Sequence, residues 1–164
     1  MTDIDKKTIG RAERIAFPEI DLDDIPARID TGAKTSALWA SYTKGQDDTL
    51  EVVFFGEESP HYTGKTVVFT QFEPVVVASS TGHTQRRYKV RLLVKIKGKK
   101  VRAWFTLADR STQVYPVLIG RNVLLGKFVV DVKKGKVLLS AERERSAQLQ
   151  SKAQGKDLEP EEES

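Results

Sequence analysis

The 164-residue chain contains no cysteine. Disulfides, thiolate metal sites and cysteine nucleophiles are therefore excluded, and the fold must hold by packing alone. Histidine is scarce as well, with only His61 and His83. A catalytic zinc usually takes three protein ligands, so these two would have to meet beside a carboxylate to form such a site. No Gly-x-x-x-x-Gly-Lys-Ser/Thr loop is present to cradle a nucleoside triphosphate. Neither a metal nor any other cofactor is called for. No apolar run approaches the roughly 18 residues that span a bilayer, and Met1 to Lys7 lacks the apolar centre of a secretory signal. The expectation is a cytoplasmic protein with no membrane partner.

What is present suits one modest core: 39% of residues are hydrophobic and 30% charged. The net charge of +4 is unevenly spread. Residues 141–164 carry four basic and seven acidic groups, net −3, which leaves 23 basic and 16 acidic, net +7, over residues 1–140. Such a body can attract nucleic acid or an acidic peptide, or simply present a solvated surface.

Strand signals dominate. Thr8 to Phe17, Ile25 to Asp30, Ala37 to Tyr42, Leu50 to Phe55, Thr66 to Thr70 and Phe72 to Ala78 are rich in alternating, β-branched or aromatic residues. Tyr88 to Ile96 and Val101 to Leu107, joined by Lys97-Gly98-Lys99-Lys100, predict a β-hairpin. Phe128 to Val132 and Lys136 to Leu139 predict a second one over Lys133-Lys134-Gly135. One short helix is expected over Arg121 to Leu125. From Ala141 the apolar residues nearly vanish; the first part could form a frayed helix, with no apolar stripe to dock, and a largely disordered tail is expected. The division is thus a body, residues 1–140, and a charged tail, residues 141–164.

Two segments carry chemistry. Asp30-Thr31-Gly32-Ala33 follows a candidate strand; on its own it is an ordinary strand-end turn. Ninety positions on, Val117-Leu118-Ile119-Gly120-Arg121-Asn122 leads into the short leucine-bearing helix. Together the two segments resemble the retropepsin-like, retroviral-type aspartic peptidases, an all-β fold working as a twofold homodimer. More similar still is the bacterial family labelled ATP-dependent zinc protease. Its features are matched by Gly10-Arg11-Ala12-Glu13, Pro18-Glu19, Arg28, the run from Asp30 to Ser36, and Gly82-His83.

The resemblance implies a catalytic Asp30, with Thr31 and Gly32 beside it, and one carboxylate from each of two chains. It implies a flap over Val75 to Val90 with Ser79 to Thr84 at its tip, so that Ser80, Gly82 and His83 join Ala33, Arg28 and Lys34 as substrate contacts. Gly120, Arg121 and Asn122 would support the Asp30 loop from behind. The substrate would be an extended peptide or protein tail, and the family is associated with ligases that add glutamates to a ribosomal protein. Lys34 stands where viral enzymes carry an acid that pairs with the arginine of Gly-Arg-Asn, so Arg121 needs another partner: Asp109, Glu13 or Asp131. Residues Ser41 to Pro74 form an insertion.

The function expected is a homodimeric aspartic endopeptidase. Arg28 and Lys34 flank Asp30 and would favour acidic, glutamate-rich peptides, among them the chain's own Glu159 to Glu163 as a weak inhibitor. The bland alternative pairs Arg28 with Glu13 or Asp131. Two other classes compete: a non-catalytic peptide-binding dimer of the same fold, and a basic ribosome- or RNA-binding β-domain. The hints for the last are Arg86-Arg87-Tyr88 and Arg102-Ala103-Trp104-Phe105.

Overall fold

Strand residues alternate between a buried and an exposed face, and the buried faces find one another. In a computed structural model describing residues 5–78, 81–135 and 139–158, the chain forms β1 (Lys7–Ile9), β2 (Ala12–Phe17), a 3-10 turn (Pro18–Ile20) and β3 (Leu22–Ile29). There follow β4 (Ser36–Gln46), β5 (Thr49–Phe54), β6 (Thr66–Phe69), β7 (Phe72–Ala78), β8 (Thr84–Ile96), β9 (Lys99–Ala108) and β10 (Val117–Ile119). The last elements are α1 (Arg121–Leu124), β11 (Phe128–Val130) and α2 (Leu139–Leu158).

The core is a closed ring of six strands in the order β10, β3, β2, β8, β9, β4 and back to β10. Val90, Leu92, Val94 and Ile96 of β8 and Val101, Ala103, Phe105 and Leu107 of β9 turn inward, with charged residues such as Arg91 and Lys95 outside. Phe17 and Phe105 meet edge to face at 5.1 Å, an arrangement favoured by the ring quadrupoles. Closure depends on β10. It lies parallel to β3, pairing Val117 with Ala27 and Ile119 with Ile29, and antiparallel to β4, pairing Leu118 with Ala37.

The outer half of β4 leaves the barrel and carries β5 and β6 as a separate antiparallel layer, which accounts for the insertion. A second projection is the β7–β8 hairpin, paired from Phe72–Val90 to Ala78–Thr84. Its tip residues Ser79 and Ser80 lie outside the described residues.

Several sequence expectations need correction. The β8–β9 turn contains only Lys97 and Gly98, because Ile96 pairs with Lys99. Both turn residues have positive φ, 47° and 80°, as the tight turn that matches strand twist requires. The first strand is broken at Gly10 into β1 and β2. No described hairpin follows Phe128: β11 pairs in parallel with β1, Lys7 opposite Phe128, and Leu139 already opens α2. Residues 136–138 lie outside the described residues.

Where a largely disordered tail is expected, residues Leu139–Leu158 are helical. This helix docks by polar anchors, which an apolar-stripe criterion cannot see. Arg145 donates to the Ser111 and Gln113 carbonyls and lies over the Trp39 ring at 5.9 Å, and Lys152 reaches Glu58 at 4.0 Å. Glu159 to Glu163 lie outside the described residues. Among the described residues no helix is long and apolar enough to cross a membrane.

Candidate active site

Asp30 leaves the barrel directly after β3, and its position is set by backbone before any side chain acts. Its N–H donates to the Ile119 carbonyl at 2.9 Å, continuing the β3–β10 pairing, and its carbonyl accepts the Ala33 N–H at 3.3 Å. The Gly32 N–H donates to Asp30 Oδ1 at 2.9 Å, which orients the carboxylate. Asp30 itself is half-buried, while Thr31, Gly32 and Lys34 are exposed.

The support behind this loop comes from Gly120-Arg121-Asn122. The Arg121 N–H donates to the Ala33 carbonyl at 2.8 Å, and its guanidinium Nη1 donates to the carbonyls of Thr31 at 3.3 Å and Gly32 at 3.0 Å. The expected acid partner of Arg121 is thus replaced by two backbone carbonyls. Asp109 caps Ser111, Asp131 accepts the Lys133 N–H, and Glu13 accepts the Gly10 N–H. Asn122 Nδ2 donates to the Trp104 carbonyl at 2.9 Å, tying the element to β9.

Sequence reasoning gave no role to Ser36, which is the hinge of the arrangement. Ser36 is the one fully polar residue buried in the core among the described residues. Its hydroxyl accepts the Gly120 N–H at 2.9 Å and donates to Asn122 Oδ1 at 2.7 Å. The signal was available: Ser36 closes the Asp-Thr-Gly-Ala-x-Thr-Ser run. Gly120 is required by space. A Cβ there would sit 2.2 Å from the Thr35 carbonyl oxygen and 2.9 Å from that of Ala33.

With this geometry in place, comparison with known proteins is decisive. Residues 8–139 match the family described as RimB-like, retropepsin-like aspartic endopeptidase RimB. The chain belongs to this family. A probable alpha-L-glutamate ligase of Desulfotalea psychrophila is 33% identical over 134 residues, covering 79% of this chain and 29% of that protein. A protein of the same description from Parasynechococcus marenigrum is 30% identical, covering 77% and 28%. The chain therefore spans less than a third of the length of these curated relatives. A solved Legionella pneumophila protein of unknown function shares the fold at TM-score 0.60 and 22% identity, over 77% of this chain and 94% of that one.

The other predicted residues of this RimB-like chain lie on other elements. Gly82 and His83 sit at the exposed tip of the β7–β8 hairpin, and a Cβ on Gly82 would meet nothing within 4 Å. His61 lies against the Phe55 ring at 5.8 Å, and burial lowers its pKa. Among the described residues no three His, Asp or Glu side chains are grouped as metal ligands would be. The basic-aromatic hints are structurally engaged. Arg102 pairs with Glu19, Trp104 lies under Lys89, Phe105 is core, and Tyr88 packs on Phe72.

Arg28 is exposed and stands two residues before Asp30, on the same side of β3 by the two-residue alternation. The acid near it is Glu142 of α2, in place of the expected Glu13 or Asp131. Arg11 donates to both Glu142 carboxylate oxygens, at 3.0 and 2.8 Å. These bonds first, then the charge of Arg11, a hydrogen bond from the Tyr115 hydroxyl and the charge of Arg28, hold the Glu142 carboxyl below the ordinary glutamate range against desolvation. A depressed carboxyl stabilises the docked state above the ordinary value, and that contribution is lost as pH falls through the docked value. Acidification below the ordinary glutamate range should therefore release the start of α2. Trp39 fluorescence, sensitive to Arg145 above the ring, should change in the same range; an unchanged signal down to barrel unfolding would contradict this.

Proposed function

We propose that the chain is an aspartic endopeptidase that acts as a twofold homodimer, with Asp30 of each protomer forming the catalytic pair. The observation that carries this reading is a single half-buried carboxylate, oriented by the Gly32 N–H on a loop braced from behind through Arg121, Asn122 and Ser36. One chain supplies half of a dyad, and a symmetric mate supplies the other half.

Two such carboxylates cannot both ionise cheaply, so they share one proton. The ionised member takes a proton from water as the water oxygen bonds to the scissile carbonyl carbon. The protonated member gives its proton to the carbonyl oxygen. Collapse of the tetrahedral species breaks the C–N bond, with a proton delivered to the departing amine. The β7–β8 hairpin would close over the peptide and exclude water, and Thr31 would hydrogen-bond across the pair.

The substrate class that suits the site is acidic. Arg28 and Lys34 flank Asp30, and the similar proteins named as glutamate ligases connect this kind of domain with glutamate chemistry. Sedimentation at micromolar concentration, together with hydrolysis of a peptide library at acid and neutral pH, tests the proposal. A strictly monomeric chain that cleaves nothing at any pH would refute it.

A further inference from the structure

The outer face of the β8–β9 ladder gathers positive charge that the barrel does not need. β8 contains five Lys and Arg residues and β9 three, and neither strand contains Asp or Glu. In the ring order β8 stands opposite β10, and β9 opposite β3, the strands that position the Asp30 loop. Alternation sends Val90, Leu92, Val101 and Ala103 into the core and their neighbours outward. On the outer face Arg91 lies opposite Trp104, Leu93 opposite Arg102, and Lys95 opposite Lys100. The four cations are exposed, and the part-exposed Leu93 and Trp104 sit diagonally among them.

Two features set this face apart from ordinary solvated charge. Like charges directly opposite each other repel, yet Lys95 and Lys100 are paired in register. Arg91, Lys95 and Lys100 also make no ion pair or side-chain hydrogen bond among the described residues. The acids that do reach the face are Glu19, on Arg102 at 3.0 and 3.1 Å, and Glu73, on Lys89 at 3.3 Å. Both pairs are partly exposed, and such pairs exchange partners at little cost. Asp21, Asp23 and Asp24 share a cleft with Lys95 and bound the face on that side.

We infer that the outer face of β8 and β9 is a docking surface for single-stranded RNA, with Arg91, Lys95, Lys100 and Arg102 on phosphates and Trp104 and Leu93 under bases. The apolar members decide between acidic partners. Carboxylates would answer the cations and leave Trp104 and Leu93 unmatched, whereas every base has a face that stacks. Lys89 now rests over the Trp104 ring at 5.1 Å, where a base can replace it. A flat sheet face suits splayed bases, and single strands are the form in which RNA is mostly recognised. The inference makes no use of Asp30.

The test is the anisotropy of a fluorescein-labelled oligoadenylate RNA about 12 nucleotides long, within the usual site size of single-strand binders. With full-length protein at about 0.1 M salt, Arg91→Ala, Lys95→Ala and Lys100→Ala together should weaken binding roughly a hundredfold. The slope of log affinity against log salt should fall in magnitude by about 2. Lys95→Ala alone, which also relieves the like-charge pair, should weaken binding about fivefold in a protein that melts no lower than the parent. Alanine at the equally exposed Lys44, Lys65 and Lys133 together should cost less than about fivefold. No measurable RNA binding by the parent would overturn the inference. So would equal weakening by the two triple variants, or tighter binding of a duplex than of the single strand. If the face variant weakens polyglutamate as much as RNA, the face is a general anion surface and the inference fails too.

Discussion

Replacing Asp30 by Asn should leave a folded, dimeric protein whose peptide hydrolysis falls by at least about a thousandfold. General acid–base catalysis by a positioned group contributes roughly 10² to 10⁴ in rate, and in a shared dyad the substitution removes the carboxylate that must ionise from both halves at once. Asn is nearly the same shape, and its side-chain oxygen can still accept the Gly32 N–H that now donates to Asp30 Oδ1. The loop should therefore persist, and thermal unfolding should shift little. Activity is read on the peptide library at several pH values, with a chelator present in parallel. Loss of activity to chelator, with the Asp30→Asn protein still active, would reverse the assignment and restore a metal.

The largest effect on stability should come from Gly120→Ala. The added methyl would lie 2.2 Å from the Thr35 carbonyl oxygen and 2.7 Å from its carbon, both backbone atoms that cannot rotate aside. Relief requires β10 to retreat from the strand-to-loop segment that begins β4, which lengthens the Gly120 N–H to Ser36 bond and the Arg121 N–H to Ala33 bond together. Overpacking of this kind typically costs about 1–3 kcal/mol, and the coupled loss of a buried hydrogen bond places the expectation at about 3 kcal/mol. Urea unfolding measures it directly. A loss below about 0.5 kcal/mol would mean that the turn can relax and that Gly120 does not clamp the Asp30 loop.

Most of the barrel was legible from the sequence because its strands obey a two-residue alternation. The runs over Tyr88 to Ile96 and Val101 to Leu107 announce both their faces and their pairing. The Asp30 loop was legible for a different reason: Asp-Thr-Gly and Gly-Arg-Asn are local motifs, and β10 brings them into contact. Long-range polar partners were not legible. The acceptors for Arg121 turned out to be backbone carbonyls, which carry no side-chain signature. Ser36 looks like any small strand residue until its hydroxyl is seen bridging Gly120 and Asn122. α2 escaped because charged anchors at Glu142, Arg145 and Lys152 leave no apolar stripe, and the composition of its segment reads as disorder.

The ring closes through its shortest member, and that has a consequence for how the molecule is made. β3 and β4 emerge early in synthesis, but the strand that lies between them is residues Val117–Ile119, some ninety positions later. Contacts between such distant segments form slowly, because the intervening chain must be ordered before they are rewarded. Until Gly120 and Arg121 have left the ribosome, the Asp30 loop has nothing behind it and the edges of β3 and β4 lie open. A nascent copy therefore carries its aspartate without its brace. The brace arrives with the last strand of the barrel, after nearly all of the domain has been translated.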